Sequence, residues 1–237
     1  MSACIHERKG HPSVDKQRRV EIAVQADTEY LVHGNLDGAH RHLSRAVELN
    51  PRHAPAYNVF ALLYLREGDL KKTEKNYKKA IKHDDGFAPA LNNYGAFLYG
   101  QGRYEEAFKY LSRVVKDVSY DKRYQAYENL GLVSLALKNE KAAIDAFQNT
   151  IRLVNDTPRA NLELAEIYLN RGNEKIAERY YSIFLTHASQ TARSLWLGIQ
   201  IVQKTGNENA KASYVLALKN LFPNSVEYKR YKELMDR

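Results

Sequence analysis

The chain has 237 residues, 44% of them hydrophobic and 27% charged, and its 36 Lys and Arg against 28 Asp and Glu leave a net charge of +8 with the histidines neutral. That balance suits a chain that folds rather than one that stays disordered. A single cysteine excludes a disulfide framework and a Cys-rich zinc module, and no apolar run approaches the roughly 18 residues a membrane helix needs. Residues 1–14 show no helical period, and Gly10 and Pro12 break any helix there, so a flexible N-terminal tether is expected. A folded region from 15 to 237 follows it.

Self-similarity then runs along the chain. Gly34-Asn35-Leu36-Asp37-Gly38-Ala39, Gly68-Asp69-Leu70, Gly102-Arg103-Tyr104-Glu105-Glu106-Ala107, Gly172-Asn173-Glu174-Lys175-Ile176-Ala177 and Gly206-Asn207-Glu208-Asn209-Ala210 occupy one recurring place. Lys138-Asn139-Glu140-Lys141-Ala142-Ala143 stands at the same place without the glycine. In this phase the eighth position of each repeat holds Asp27, Ala61, Gly95, Gly131, Ala165 and Gly198, and the twentieth holds Ala39, Thr73, Ala107, Ala143, Ala177 and Ala210. The twenty-fourth holds Leu43, Tyr77, Leu111, Phe147, Tyr181 and Tyr214. Small residues let the two helices of a repeat approach, and the large one fills the space between repeats. Asp27 departs from this rule and predicts a looser first helix.

The pattern resembles the tetratricopeptide repeat family, with six repeats over roughly residues 20–223. The resemblance implies an all-α fold, a right-handed superhelix of six helix-turn-helix repeats. Most tyrosines then read as packing residues: Tyr30, Tyr64 and Tyr168 share the eleventh place, and Tyr57 and Tyr127 the fourth. After the repeats, Val226, Tyr228, Tyr231 and Leu234 recur at helical spacing among charged residues. They predict a polar-faced helix over 224–237 that caps the array.

No catalytic constellation is present: there is no phosphate-binding glycine loop, nucleophile elbow or metalloprotease motif. The chain is therefore read as a non-enzyme without cofactor, metal or small-molecule substrate. His40 and His42, two apart on a predicted helix, point to different faces and read as solvated surface. Lys71, Lys75 and Lys79, with Lys72, Lys78 and Lys82 nearby, could suggest nucleic acid, but a charged outer helix face is the preferred account and no nucleic acid is expected. Ser2-Ala3-Cys4 looks like the end of a bacterial lipobox, which makes Cys4 the candidate lipidation site. The hydrophobic signal segment that precedes a lipobox is not in the sequence, so the expected start lies either at the lipobox or upstream of Met1. The basic residues Arg8, Lys9, Lys16, Arg18 and Arg19 behind it would favour an anionic membrane surface.

In the tetratricopeptide family the groove-facing places are the second, fifth, ninth, twelfth and thirteenth. From that resemblance the candidate partner-binding groove contains Val24, Thr28 and Leu31 of the first repeat, Asn58, Leu62 and Leu65 of the second, and Asn92 and Tyr99 of the third. The face is largely apolar, with the asparagines as amide contacts for a bound segment. The fifth repeat gives Arg159, Leu162, Glu166, Leu169 and Asn170, a mixed surface. The Lys and Asn carboxylate clamp of chaperone-tail binders is absent, because Val24 and Thr28 stand at those places.

Longer strings narrow the resemblance. Leu91-Asn92-Asn93-Tyr94-Gly95-Ala96-Phe97-Leu98-Tyr99, Tyr127-Glu128-Asn129-Leu130-Gly131-Leu132-Val133-Ser134-Leu135 and Ala192-Arg193-Ser194-Leu195-Trp196-Leu197-Gly198-Ile199 resemble the type IV pilus biogenesis lipoproteins of the PilF/PilW family. The resemblance implies a pilotin. Such a protein would be a monomeric lipoprotein held by Cys4 at the periplasmic face of the bacterial outer membrane. It would promote outer-membrane localisation and multimerisation of the pilus secretin through its groove. The alternative is a cytosolic tetratricopeptide adaptor of another complex.

Overall fold

The computed structural model describes residues 35–235. These hold twelve α-helices and no strand. In chain order they are α1 (Leu36–Leu49), α2 (Ala54–Arg66), α3 (Leu70–His83), α4 (Ala88–Gly100), α5 (Tyr104–Val114), α6 (Arg123–Ala136), α7 (Glu140–Leu153), α8 (Pro158–Asn170), α9 (Glu174–His187), α10 (Ala192–Thr205), α11 (Glu208–Leu221) and α12 (Val226–Met235). The chain divides into two compact units between Arg103 and Tyr104. The expected tether, the start of the folded region, Asp27 and Tyr30 lie outside the described residues.

The helix starts follow from the residues beside each turn. Asn35, Asp69, Asn139 and Asn207 each accept a backbone N–H of the first turn through a side-chain oxygen, satisfying a donor that has no intrahelical partner. Pro55, Pro89 and Pro158 stand in the first turns of α2, α4 and α8, where a missing N–H costs nothing. The turns that lead into α3, α5, α9 and α11 need a left-handed residue, and Gly68, Gly102, Gly172 and Gly206 supply it with φ between 71° and 81°. In the fourth repeat Lys138 takes that geometry itself, at φ 57°. The missing glycine changes the cost of the turn and not its shape.

In the N-terminal unit, Ala39 and Leu43 of α1 pack with Ala56, Val59 and Leu63 of α2 in one apolar cluster. Each fully buried leucine contributes on the order of 1.5–3 kcal/mol. Tyr77 of α3 lies 5.7 Å from the Tyr94 ring and 5.9 Å from the Phe97 ring of α4, joining the second repeat to the third. Burial pushes the Tyr77 phenol well above its ordinary pKa.

The C-terminal unit shows why the eighth position is small. A methyl group added to Gly131 would lie 2.5 Å from the Phe147 ring, and one added to Gly198 would lie 2.8 Å from Cζ of Tyr181. Each ring occupies the volume a side chain would fill, and the Tyr181 hydroxyl donates to the Ser194 carbonyl at 2.8 Å. At the end of the chain, Tyr228 and Tyr231 of α12 pack against the cluster of Leu195, Ile199 and Leu218. Val226 and Leu234, assigned to the same face by their spacing, remain more than half exposed.

Candidate functional site

On α2, Asn58, Leu62 and Leu65 follow at i, i+4 and i+7 and share one face; on α4, Asn92 and Tyr99 do the same at i and i+7. The two helices touch, and Asn93 Nδ2 donates to Asn58 Oδ1 at 3.1 Å across the contact. Asn58 and Asn92 are buried, whereas Leu65 is 39% exposed. Leu62 and Tyr99 are half-buried. The open apolar area therefore comes from Leu62 and Leu65, while the Asn58 oxygen is already used in joining the repeats. Val24, Thr28, Leu31 and Cys4 lie outside the described residues.

Behind this face, one carboxylate ties α3 to α4. Glu74 Oε1 accepts from Lys78 at 2.7 Å, from the Tyr94 hydroxyl at 2.9 Å and from Arg103 at 2.9 Å. The hydrogen bond from Lys78, joined by those from Arg103 and Tyr94, holds the Glu74 carboxyl down at about 2 despite partial burial. No repeat position singles out Glu74 in the sequence. It becomes visible only when Arg103, 29 residues on, folds back onto it.

The fifth repeat differs. Leu162 is buried, and Arg159 stands 3.9 Å from Glu128 of α6. Glu166 pairs with Arg193 of α10, whose guanidinium also grips Glu163 in a two-pronged contact at 2.7 and 2.8 Å. Glu163 and Glu166 push the Arg193 pKa further above its ordinary value. Burial raises the Glu128 carboxyl, with Arg159 opposing the rise and Glu163 adding to it. Glu166 of the expected mixed surface is thus committed to an internal tie. Beside it, Leu169, Asn170, Trp196, Gln200 and Gln203 line a cleft of ≈ 420 Å³.

His40 is more constrained than a solvated side chain. Its Nε2 lies 2.9 Å from Glu67 Oε1, and its ring meets Tyr64 edge-on at 5.3 Å. Among the described residues no three His, Cys, Asp or Glu side chains gather in a way that could hold a metal ion, and no helix is long and apolar enough to cross a membrane.

Paired helices joined at left-handed turns, with the small residue of one helix lying under the large ring of another, define a tetratricopeptide repeat protein. The tetratricopeptide repeat family matches residues 28–73 and 64–128 of the sequence. The chain is 37% identical over 209 residues to the type IV pilus assembly protein PilF of Pseudomonas aeruginosa, covering 88% of this chain and 83% of that protein, and it belongs to the PilF family. The solved structure of Pseudomonas aeruginosa PilF superposes with a TM-score of 0.89 at 36% identity, over 92% of this chain and 99% of that one. The crystal structure of PilW, a type IV pilus biogenesis factor, gives a TM-score of 0.76 at 25% identity over 90% and 97% of the two chains.

Proposed function

We propose that this protein is a pilotin: a non-catalytic scaffold of type IV pilus biogenesis that brings the pilus secretin to the outer membrane and promotes its multimerisation. The observation that carries the reading is the 37% identity to PilF over 209 residues. In this reading the acyl chains on Cys4 anchor the protein at the periplasmic face of the outer membrane. One acyl chain holds weakly and several hold firmly, so a multiply acylated cysteine gives a stable anchor. The face formed by Leu62, Leu65 and Tyr99, continued by Val24, Thr28 and Leu31 of the first repeat, takes a segment of the secretin subunit. The partly exposed Leu65 and half-buried Leu62 supply apolar area for that contact, and Asn58 and Asn92 are the amide contacts for the segment's backbone.

Two variants expressed in cells test the two halves of the proposal. Cys4→Ser should move the protein from the membrane to the soluble fraction and leave the secretin misplaced. Leu62→Glu with Leu65→Glu should keep the helical circular dichroism spectrum and lose heat-stable secretin multimers. Membrane association that survives Cys4→Ser refutes the anchor, and secretin multimers that survive the double leucine variant refute the groove.

A further inference from the structure

The lysines of α3 do not simply point into solvent. Lys72, Lys75, Lys79 and Lys82 recur at i, i+3, i+7 and i+10, which lays them along one side of the helix over about 15 Å. Two of them bend over aromatic rings of α2: Lys72 Nζ lies 5.0 Å from the Tyr64 centroid and Lys79 Nζ 5.0 Å from that of Tyr57. The His83 ring stacks on the other end of this row, 5.3 Å from Tyr57. Between α1 and α3, Lys72, Lys75 and Lys79 border a cleft of ≈ 550 Å³ whose floor is Val47, Tyr57, Phe60 and Tyr64.

The charge in this cleft is unbalanced. Lys72 pairs with Asp69 at 3.0 Å and Lys78 with Glu74, but Lys75 and Lys79 have no acidic partner among the described residues. The single carboxylate bordering the cleft, Glu48, pairs with Arg45 at 3.0 Å. An apolar aromatic floor beside a wall of uncompensated ammonium groups is complementary to one kind of ligand chemistry. That ligand has an apolar stripe and a stripe of carboxylates. The recess matters to the choice, because a bilayer surface or a nucleic-acid duplex would meet the lysine tips without reaching the floor.

We propose that this cleft is a second docking site of the N-terminal unit, and that it takes an acidic amphipathic segment of a protein partner. The apolar side chains of the segment seat on the half-buried Phe60 and Tyr64, and its carboxylates pair with Lys75 and Lys79. The site is separate from the Leu62–Leu65 face, because the two sets of residues lie about 130° apart around α2. It does not depend on the pilotin reading. Holding the ammonium groups over rings before binding reduces the side-chain entropy lost on docking.

The test uses the full chain and a fluorescein-labelled helical peptide with Glu on one face and Leu and Phe on the other. Gln-for-Glu peptide, phosphatidylglycerol vesicles and an oligothymidylate serve as parallel probes. The acidic peptide should bind, lose affinity as salt rises, and weaken by about tenfold or more in Lys75→Glu with Lys79→Glu. The milder Lys75→Gln with Lys79→Gln should fall between, and Leu62→Glu with Leu65→Glu should bind as the parent does. Failure of the acidic peptide to bind, equal binding of the Gln peptide, or binding indifferent to the lysine variants overturns the proposal. So does a lysine-dependent response confined to vesicles or oligothymidylate, which would make the surface a membrane or nucleic-acid contact instead.

Discussion

Replacing Arg193 with methionine keeps most of the side-chain length and removes the guanidinium that joins α8 to α10. Glu163 would be left with its side chain 9% exposed and both Arg193 contacts, at 2.7 and 2.8 Å, lost. Breaking a fully buried pair costs about 3–5 kcal/mol, because the remaining charge is uncompensated. Arg193 is itself 46% exposed, so water can reach part of the vacated site, and the expected loss is about 2 kcal/mol. Chemical denaturation followed by circular dichroism measures it. Adding Glu163→Gln to Arg193→Met should restore at least half of the loss, since a neutral amide is far less costly to bury. A single variant within about 0.5 kcal/mol of the parent would refute the reasoning. So would a double variant no more stable than Arg193→Met alone, because the cost would then not come from the stranded charge.

Two further outcomes follow from local geometry. Lys138 takes a left-handed turn at φ 57°, which costs a non-glycine residue about 1 kcal/mol or more. Lys138→Gly should therefore raise the unfolding free energy of the C-terminal unit by about 0.5 kcal/mol after the added entropy of the unfolded glycine is subtracted, seen as a higher denaturant midpoint, and a lowered midpoint would contradict the strain. Glu74 has a folded-state carboxyl held at about 2 against an ordinary 4.5, so the stability it provides is complete above 4.5 and is lost as the pH falls through about 2. Glu74→Gln should cost about 1–2 kcal/mol at neutral pH, and thermal unfolding should show the difference from the parent closing between pH 4.5 and 2; a constant difference would exclude the assigned cause.

Much of this molecule is written in its residue order. The spacing of Gly34, Gly68, Gly102, Gly172 and Gly206, with small residues at Ala61 and Gly131 and large ones at Tyr77 and Phe147, specifies helix pairs. Each repeat is a local object, and its caps and turns lie within a few residues of the helices they shape. The same locality made the expected groove positions of α2 and α4 something that could be counted from the start of a repeat. Long-range pairing is different. Glu163 reaches Arg193 across 30 residues, Glu74 reaches Arg103 across 29, and Asn58 reaches Asn93 across 35. None of these partners is marked by periodicity, because a polar side chain at a repeat position reads the same whether it faces water or a neighbouring helix. The lysines of α3 are the clearest instance. Counting along the helix gives a charged face, but only packing brings Tyr57 and Tyr64 of α2 beneath two of the ammonium groups and turns that face into a cleft. Which side chains share a helix face is set by the 3.6-residue turn and can be read from the sequence; which faces meet, and which charges are left unpaired when they do, is decided only when the helices pack.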